Sequence, residues 1–105
     1  MPRIRLGPPA DFAGPGPWRV RRWARPFEIR REEGGGLVAV ELVCRHQNAD
    51  LSGVAARDGE LTCPRHGWRY DAATGECFDR PGQALRRFSV SATAGVLWIG
   101  DRDNS

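Results

Sequence analysis

Short stretches in which apolar and polar residues alternate follow one another along the chain, separated by glycine and proline. Between Trp18 and Trp23, apolar and basic residues alternate with a period of two, which predicts a half-buried strand. Residues 27–31 and 37–43 predict two further strands, joined by a hairpin loop at 33–36. The segment 37–43 is almost entirely apolar, which predicts a central strand that is covered on both faces.

The remaining predicted elements are also short. Further β segments are predicted at 3–6, 61–62, 69–71, 76–78, 88–92 and 96–99, with one helical turn at 8–12. No segment of ten or more residues carries a helical pattern, so the sequence predicts an all-β fold. Its 105 residues fit one domain spanning 1–105. A domain of this size buries a limited core, and a bound metal centre would add stability.

Charge is distributed unevenly along the sequence. Residues 1–31 contain eight arginines against Asp11 and Glu28, whereas the net charge of the whole chain is +3. Because these arginines alternate with apolar residues, we assign them to solvated strand faces and expect no nucleic-acid partner. No apolar run approaches the roughly 18 residues of a membrane span, and the first residues lack the pattern of a secretory signal. We therefore expect a soluble, cytoplasmic protein that binds no membrane.

Cysteine and histidine define the candidate chemistry. An odd number of cysteines, three, argues against a disulfide framework and for a reducing compartment. Two of them are spaced with the two histidines of the chain as Cys44-Arg-His46, then sixteen residues, then Cys63-Pro-Arg-His66. Each group offers one thiolate and one imidazole and follows a predicted β segment. Two loops at one end of the scaffold would therefore present four candidate metal ligands together.

Four nitrogen and sulfur ligands suit either zinc or an iron–sulfur centre. Zinc sites commonly pair cysteine with cysteine on one arm and histidine with histidine on the other. The mixed Cys-x-His and Cys-x-x-His arms of this chain fit that pattern poorly. We therefore favour an iron–sulfur centre and keep a zinc-stapled interaction domain without redox activity as an alternative.

The two motifs, in this order and at this separation, resemble the signature of Rieske proteins. The stretch Cys63-Pro-Arg-His-Gly-Trp-Arg-Tyr-Asp-Ala-Ala-Thr-Gly-Glu-Cys is similar to the second cluster loop of the ferredoxins and oxygenases of aromatic-ring hydroxylation. The stretch His46-Gln-Asn-Ala-Asp-Leu-Ser-Gly resembles the first loop. The resemblance implies the Rieske fold, an antiparallel β-sandwich with one [2Fe–2S] cluster held by loops at about 44–50 and 63–70.

Carried onto this chain, the resemblance implies that Cys44 and Cys63 bind one iron and that His46 and His66 bind the other. Neutral imidazoles in place of two thiolates remove negative charge from the centre. A cluster of this kind is therefore easier to reduce than one held by four cysteines.

The chain resembles the low-potential branch of the family. High-potential members tie their two cluster loops together by a disulfide, and the equivalent positions here are Ala49 and Arg65. Those members also place a serine and a tyrosine after the second histidine, where this chain has Trp68 and Tyr70. Fewer donors toward sulfur disfavour the reduced state, so we expect a potential at the low end of the Rieske range of roughly −150 to +300 mV.

The resemblance implies an electron-transfer protein and not an enzyme. Ring-hydroxylating oxygenases add a domain with mononuclear iron held by two histidines and a carboxylate. This chain has no histidine beyond His46 and His66. We expect a ferredoxin that takes electrons from a flavin reductase and delivers them to an oxygenase, with a small Rieske subunit of a larger oxidoreductase as the alternative.

Several residues near the motifs carry weaker expectations. Cys77 should be a buried, inert thiol, and Trp68 should pack beneath the cluster, with a partner-docking surface as the alternative role. Arg45 and Arg65 either steer an acidic partner or are ordinary solvated charges. Three tryptophans fall on predicted strands and are expected in the core or on a sheet face: Trp18, Trp23 and Trp98.

Overall fold

The computed structural model describes residues 3–46, 48–65 and 67–102. Within these residues the elements are, in chain order, β1 (Ile4–Gly7), a 3-10 turn (Pro9–Phe12), β2 (Trp18–Arg22), β3 (Arg25–Arg31), β4 (Leu37–Glu41), β5 (Glu60–Thr62), β6 (Arg69–Asp71), β7 (Arg87–Thr93) and β8 (Val96–Arg102). The predicted all-β fold is confirmed. In the same part of the chain, no helix is long and apolar enough to cross a membrane.

Six strands form one antiparallel sheet in the order β1-β8-β7-β4-β3-β2, and β5 pairs with β6 in a separate hairpin. β4 lies inside the six-stranded sheet, between β7 and β3. Its side chains alternate between two buried clusters, with Ala39 in one and Val40 in the other. The prediction that this apolar segment is a central strand covered on both faces is confirmed.

The two buried clusters divide the interior between the sheet and the site. The sheet core consists of Ile4, Leu6, Phe12, Phe27, Ile29, Ala39, Phe88, Leu97 and Ile99. The site core consists of Val40, Leu42, Cys44, Ala49, Leu51, Leu61, Cys63, Tyr70, Cys77 and Leu85. Both motif cysteines therefore belong to one apolar cluster, which they share with β4 and with the β5–β6 hairpin.

Arg22 joins the two edges of the six-stranded sheet. It lies at the end of β2, and its Nε and Nη2 atoms donate to the carbonyl oxygen of Leu6 on β1, at 3.0 and 2.9 Å. Because β1 and β2 are the first and last strands of the sheet, this contact brings its edges together. A guanidinium fork thus satisfies a carbonyl that would otherwise mark an open edge.

Arg19 connects the sheet to the segment that follows the first motif. Its Nε lies 2.9 Å from Oε2 of the buried Glu28 on β3. Its Nη1 donates to the carbonyl oxygens of Ser52 and Val54, at 2.9 and 2.6 Å. The buried carboxylate therefore orients a guanidinium that holds the segment after the first motif against β2.

The position of Trp23 differs from the prediction. Arg22 pairs with Arg25 across the β2–β3 ladder, so Trp23 and Ala24 form the two-residue connection between the strands. Both have left-handed backbone angles, with φ of 54° and 57°, and the Trp23 side chain is 63% exposed. The apolar–basic alternation stops at Arg21-Arg22, and this break marks the start of the turn. Trp18 and Trp98 do lie on strands, β2 and β8.

The segment 76–78 also differs from the prediction of a strand. Cys77 forms an isolated antiparallel bridge with Tyr70, and no ladder extends from it. Asp79, directly after this segment, accepts hydrogen bonds from the backbone N–H and the guanidinium of Arg69. The N–H groups of Asp71 and Phe78 also donate to the carbonyls of Glu76 and Arg69, at 2.7 and 2.8 Å, so the segment lies beside β6 without forming a longer ladder.

Candidate metal centre

The first motif lies in a tight loop that follows β4. The N–H of Cys44 donates to the carbonyl of Ala49 at 2.8 Å, and the N–H of Asn48 donates to the carbonyl of Cys44 at 2.9 Å. Asn48 has a left-handed φ of 55°, a conformation that asparagine tolerates better than most residues. Cys44 therefore begins a loop that is closed by its own backbone groups.

The second motif lies in a loop with the same hydrogen-bond pattern, directly after β5. The N–H of Cys63 donates to the carbonyl of Trp68 at 2.8 Å, and the N–H of Gly67 donates to the carbonyl of Cys63 at 2.9 Å. Gly67, like Asn48 the fourth residue after its cysteine, has a left-handed φ of 73°. The two loops are therefore equivalent in backbone geometry, as expected if both serve one centre.

The cysteines of the two motifs differ in solvent exposure from the histidine of the first motif. Cys44 and Cys63 are 0% and 1% exposed within the site core, whereas His46 is exposed at the surface. His66, the fourth predicted ligand, lies outside the described residues, as does Gln47. Within the residues described, no three side chains of the Cys, His, Asp and Glu types converge closely enough to hold a single metal ion.

Tyr70 reaches the sulfur of the first motif from β6. Its hydroxyl oxygen lies 3.3 Å from Sγ of Cys44 and accepts a hydrogen bond from the backbone N–H of Arg45 at 3.0 Å. Because the oxygen accepts from Arg45, its own proton is available to point toward the sulfur. Burial raises the pKa of Tyr70 above its ordinary value, so the phenol stays protonated and remains a donor.

Trp68 packs against the site core and stacks on the exposed imidazole of the first motif. The ring centroids of Trp68 and His46 are 4.6 Å apart, and the ring planes differ by 20°. The guanidinium of Arg80 also lies over the Trp68 ring, with its Cζ 5.4 Å from the ring centroid. Trp68 therefore packs at the site, and its contact with Arg80 does not follow from the sequence, because the eleven residues between them include β6 and the loop beyond it.

Arg45 fixes the first loop to a distant segment. Its Nη1 donates to the carbonyl oxygen of Ala84 at 2.9 Å, which ties this side chain to the segment around Ala84. The segment around Ala84 is itself held by the N–H of Leu85, which donates to the carbonyl of Gly75. This third segment near the loops includes the Pro81-Gly82 turn.

An ion pair supports the far side of the first loop. The Arg21 guanidinium lies 2.8 Å from the carboxylate of Asp50, which also accepts a hydrogen bond from the Ser52 N–H. Contacts with Ser52 and with Arg21 lower the pKa of Asp50 to about 2, so it is charged throughout the physiological range. Asp50 also pairs with Val43, the residue before Cys44, in an isolated antiparallel β-bridge.

Comparison with known families decides between the iron–sulfur and zinc interpretations. The family model for the Rieske [2Fe-2S] domain matches residues 3–89. The chain belongs to this family. A Rieske domain carries one Rieske-type [2Fe–2S] cluster, which is the cofactor expected from the sequence. Such a cluster divides its protein ligands between two irons, so it does not require three of them around one ion.

Curated relatives of this Rieske domain include a monooxygenase and the oxygenase subunit of a dioxygenase. The chain is 32% identical over 92 residues to 4beta-methylsterol monooxygenase of Methylococcus capsulatus, a match that covers 77% of the chain and 25% of the relative. It is 28% identical over 97 residues to the oxygenase subunit of 3-chlorobenzoate-3,4-dioxygenase of Comamonas testosteroni, covering 83% of the chain and 22% of the relative. The chain thus spans a quarter or less of the length of these relatives.

Solved structures show the same fold. One match is a chain in the complex of reduced oxygenase and oxidized ferredoxin in carbazole 1,9a-dioxygenase, with a TM-score of 0.58 and 24% identity. It covers 98% of this Rieske domain and 97% of that chain. The likeness establishes the Rieske fold over nearly the whole length.

The donor set at the two loops fits a [2Fe–2S] cluster. Cys44 and Cys63 offer thiols that are shielded from water, and the Tyr70 hydroxyl is placed to donate toward one of their sulfurs. The imidazole of His46 lies at the surface, where the same loop leaves the core. The cysteines of the described residues form no disulfide.

Proposed function

We propose that Cys44, His46, Cys63 and His66 hold the cluster and that this chain transfers single electrons through it. The observation that carries the proposal is the pair of equivalent loops, each of which places a buried cysteine at its start. When bound, a Rieske cluster supplies a reversible one-electron couple. The backbone hydrogen bonds that close the two loops fix the positions of both thiols.

The residues around the loops have different roles, which follow from where each of them lies. The site core excludes water from Cys44 and Cys63, and Tyr70 donates toward the more buried side of the centre. His46 faces the solvent, so electron exchange with another protein takes place on the histidine side. Burial of the sulfurs and exposure of an imidazole together give a centre that is protected yet accessible.

We propose a flavin reductase as the electron donor and an oxygenase as the acceptor, in the cytoplasm. Support for the acceptor comes from the relatives, which are oxygenase components. Support for a reducing compartment comes from three cysteines that form no disulfide. In this role the chain is a carrier and performs no oxygenation itself.

A second candidate function is the Rieske part of an oxygenase. It is favoured by the relatives themselves, of which this chain matches a quarter or less. Size-exclusion chromatography of an extract of the source cells, followed with an antibody against this chain, distinguishes the two candidate functions. Elution near the 11.6 kDa of the chain supports a free carrier, and elution in a large complex supports an oxygenase component.

Ligand variants test the proposed centre. The purified protein should contain two irons and two sulfides per chain, and its visible bands should bleach with dithionite and return in air. C44A, H46A, C63A and H66A should each lose the iron. C77A is the matched control, because Cys77 is a buried thiol of the same site core outside the motifs, and it should keep the cluster. Zinc in place of iron, or iron retained in the ligand variants, contradicts the proposal.

A further inference from the structure

Three side chains from separate segments form a stack at the exposed histidine. His46 comes from the first loop, Trp68 from the end of the second, and Arg80 from the segment beyond β6. Trp68 contacts both of the others, with spacings of 4.6 Å to the His46 ring and 5.4 Å to the Arg80 guanidinium. One face of the imidazole is therefore covered by an indole, and that indole carries a cation.

The positive charge of Arg80 in this stack is not balanced by the acidic residue next to it. Asp79 lies next to it, but its carboxylate accepts hydrogen bonds from the N–H, Nε and Nη2 of Arg69 at 2.8, 3.3 and 3.1 Å. Among the described residues, the Arg80 guanidinium donates a hydrogen bond to the carbonyl oxygen of Asp79 and to no carboxylate. The pair of Arg69 and Asp79 is neutral, so the positive charge on Trp68 is not cancelled.

We infer that Trp68 and Arg80 are positioning and tuning residues of the centre. Trp68 sets the orientation of the His46 ring, and Arg80 stabilises the reduced, more negative state by its charge. The inference rests on the proposed ligand role of His46. Neither residue belongs to the Cys-x-His and Cys-x-x-His motifs, and Arg80 lies outside both loops.

Distance decides how large the charge effect can be. The two spacings place the Arg80 guanidinium carbon within about 10 Å of the His46 ring centroid. At that distance a unit charge changes an equilibrium about twofold at the dielectric constant of water and roughly 15-fold at the effective value for a protein surface. Because the added electron is negative, the charge favours reduction, and its removal lowers the potential.

The test compares arginine variants of the iron-loaded protein by redox titration. R80Q should lower the ratio of reduced to oxidised protein at a fixed potential about two- to tenfold, where tenfold corresponds to about 59 mV for one electron. R80E should lower the ratio further, and added salt should shrink both effects because Arg80 is exposed. R3Q is the matched control, because Arg3 lies 4.9 Å from the Trp98 ring on β8, in the six-stranded sheet and outside the site core.

Pulsed electron paramagnetic resonance tests the role of Trp68 through the nitrogen hyperfine couplings of the histidines. W68L should shift the coupling of one histidine and leave that of the other unchanged, whereas W68F, which keeps an aromatic face, should retain both. R80Q should leave both couplings in place, since it removes charge and not the ring.

The outcomes separate this inference from the proposed function. A cluster with Rieske spectra in which R80Q and R3Q have the same potential as the wild type overturns the role of Arg80. Unchanged couplings in W68L overturn the role of Trp68. A purified protein without iron, or without nitrogen couplings, overturns the proposed ligand set instead.

Discussion

The hydroxyl oxygen of Tyr70 lies 3.3 Å from Sγ of Cys44, and the two residues meet although twenty-five residues lie between them in the chain. The register of the small hairpin explains the contact, because Leu61 on β5 pairs with Tyr70 on β6 and Cys63 follows two residues after Leu61. Tyr70 is therefore brought under the loops by the same hairpin that presents the second motif. Its hydroxyl also accepts from the Arg45 N–H, so it contacts the first loop at two adjacent residues.

Replacing Tyr70 with phenylalanine should lower the reduction potential. Y70F removes one O–H donor toward sulfur, a bond with a net contribution of about 1 kcal/mol, which corresponds to roughly 40 mV for a one-electron couple. It also leaves the Arg45 N–H without this acceptor, so the free energy of unfolding should fall by about 1–3 kcal/mol. Redox titration and urea unfolding measure the two effects. An unchanged potential would show that the hydroxyl does not donate to the centre.

Acid should abolish the contribution of Asp50 to stability. Its pKa is about 2 in the folded protein against an ordinary value of 3.8, so the contact stabilises the fold above pH 3.8 and the benefit is lost as the pH falls toward 2. Because the Arg21–Asp50 pair is exposed, the contribution is at most about 1 kcal/mol. D50N should therefore be less stable than the wild type at pH 6 in urea unfolding, and the difference should narrow below pH 4. A gap that widens in acid contradicts the assignment.

The turn between β2 and β3 should be easy to stabilise. Trp23 and Ala24 both have left-handed φ values, which cost non-glycine residues about 1–2 kcal/mol each, whereas Asn-Gly suits such a two-residue turn. The double variant Trp23→Asn, Ala24→Gly should gain about 1–2 kcal/mol and raise the Tm by several degrees.

A control variant separates the turn from the loss of a surface aromatic. Phe78 is the other large apolar side chain exposed in the described part of the chain, at 47%, and it lies outside the turn. F78N should leave the Tm nearly unchanged. A lower Tm in the turn variant would mean that Trp23 stabilises the fold through contacts that outweigh the cost of its backbone conformation.

Two glycines with left-handed φ should respond differently to alanine. At Gly59, φ is +78° and an added Cβ meets no atom within 4 Å, so G59A should cost only the backbone strain of about 1–2 kcal/mol. At Gly16, φ is +68° and an added Cβ would lie 2.6 and 2.8 Å from atoms of the Trp18 ring. G16A should therefore destabilise by a further 1–3 kcal/mol, roughly the cost of overpacking. Equal free energies of unfolding for the two variants would contradict the packing of Trp18.

Local patterns in the sequence were sufficient for most of the strands and for the motifs. The apolar run that forms β4 follows from the pattern of apolar residues over a few positions. Trp23 was misplaced because alternation shows that a strand is present but does not specify where a two-residue turn ends it. The prediction from the motifs that two loops lie at one end of the fold agrees with the shared site core of Cys44 and Cys63.

Contacts made by long arginine side chains could not be predicted in the same way. Arg45 reaches Ala84, thirty-nine positions along the chain, and Arg80 reaches back past β6 to Trp68. Such contacts depend on how the loops fold back on each other, and arginine is equally compatible with a solvated surface. The surroundings of the centre therefore emerged only from the structure, while its candidate ligands are marked by spacing alone.

Electron paramagnetic resonance of the dithionite-reduced protein tests the central claim most directly, because the signal reports which kinds of atom bind the irons. Ligation by two cysteines and two histidines predicts an average g value below that of all-cysteine clusters, with hyperfine couplings from two nitrogens. A reduced protein without a signal, or one with an all-cysteine spectrum and no nitrogen coupling, would contradict the account.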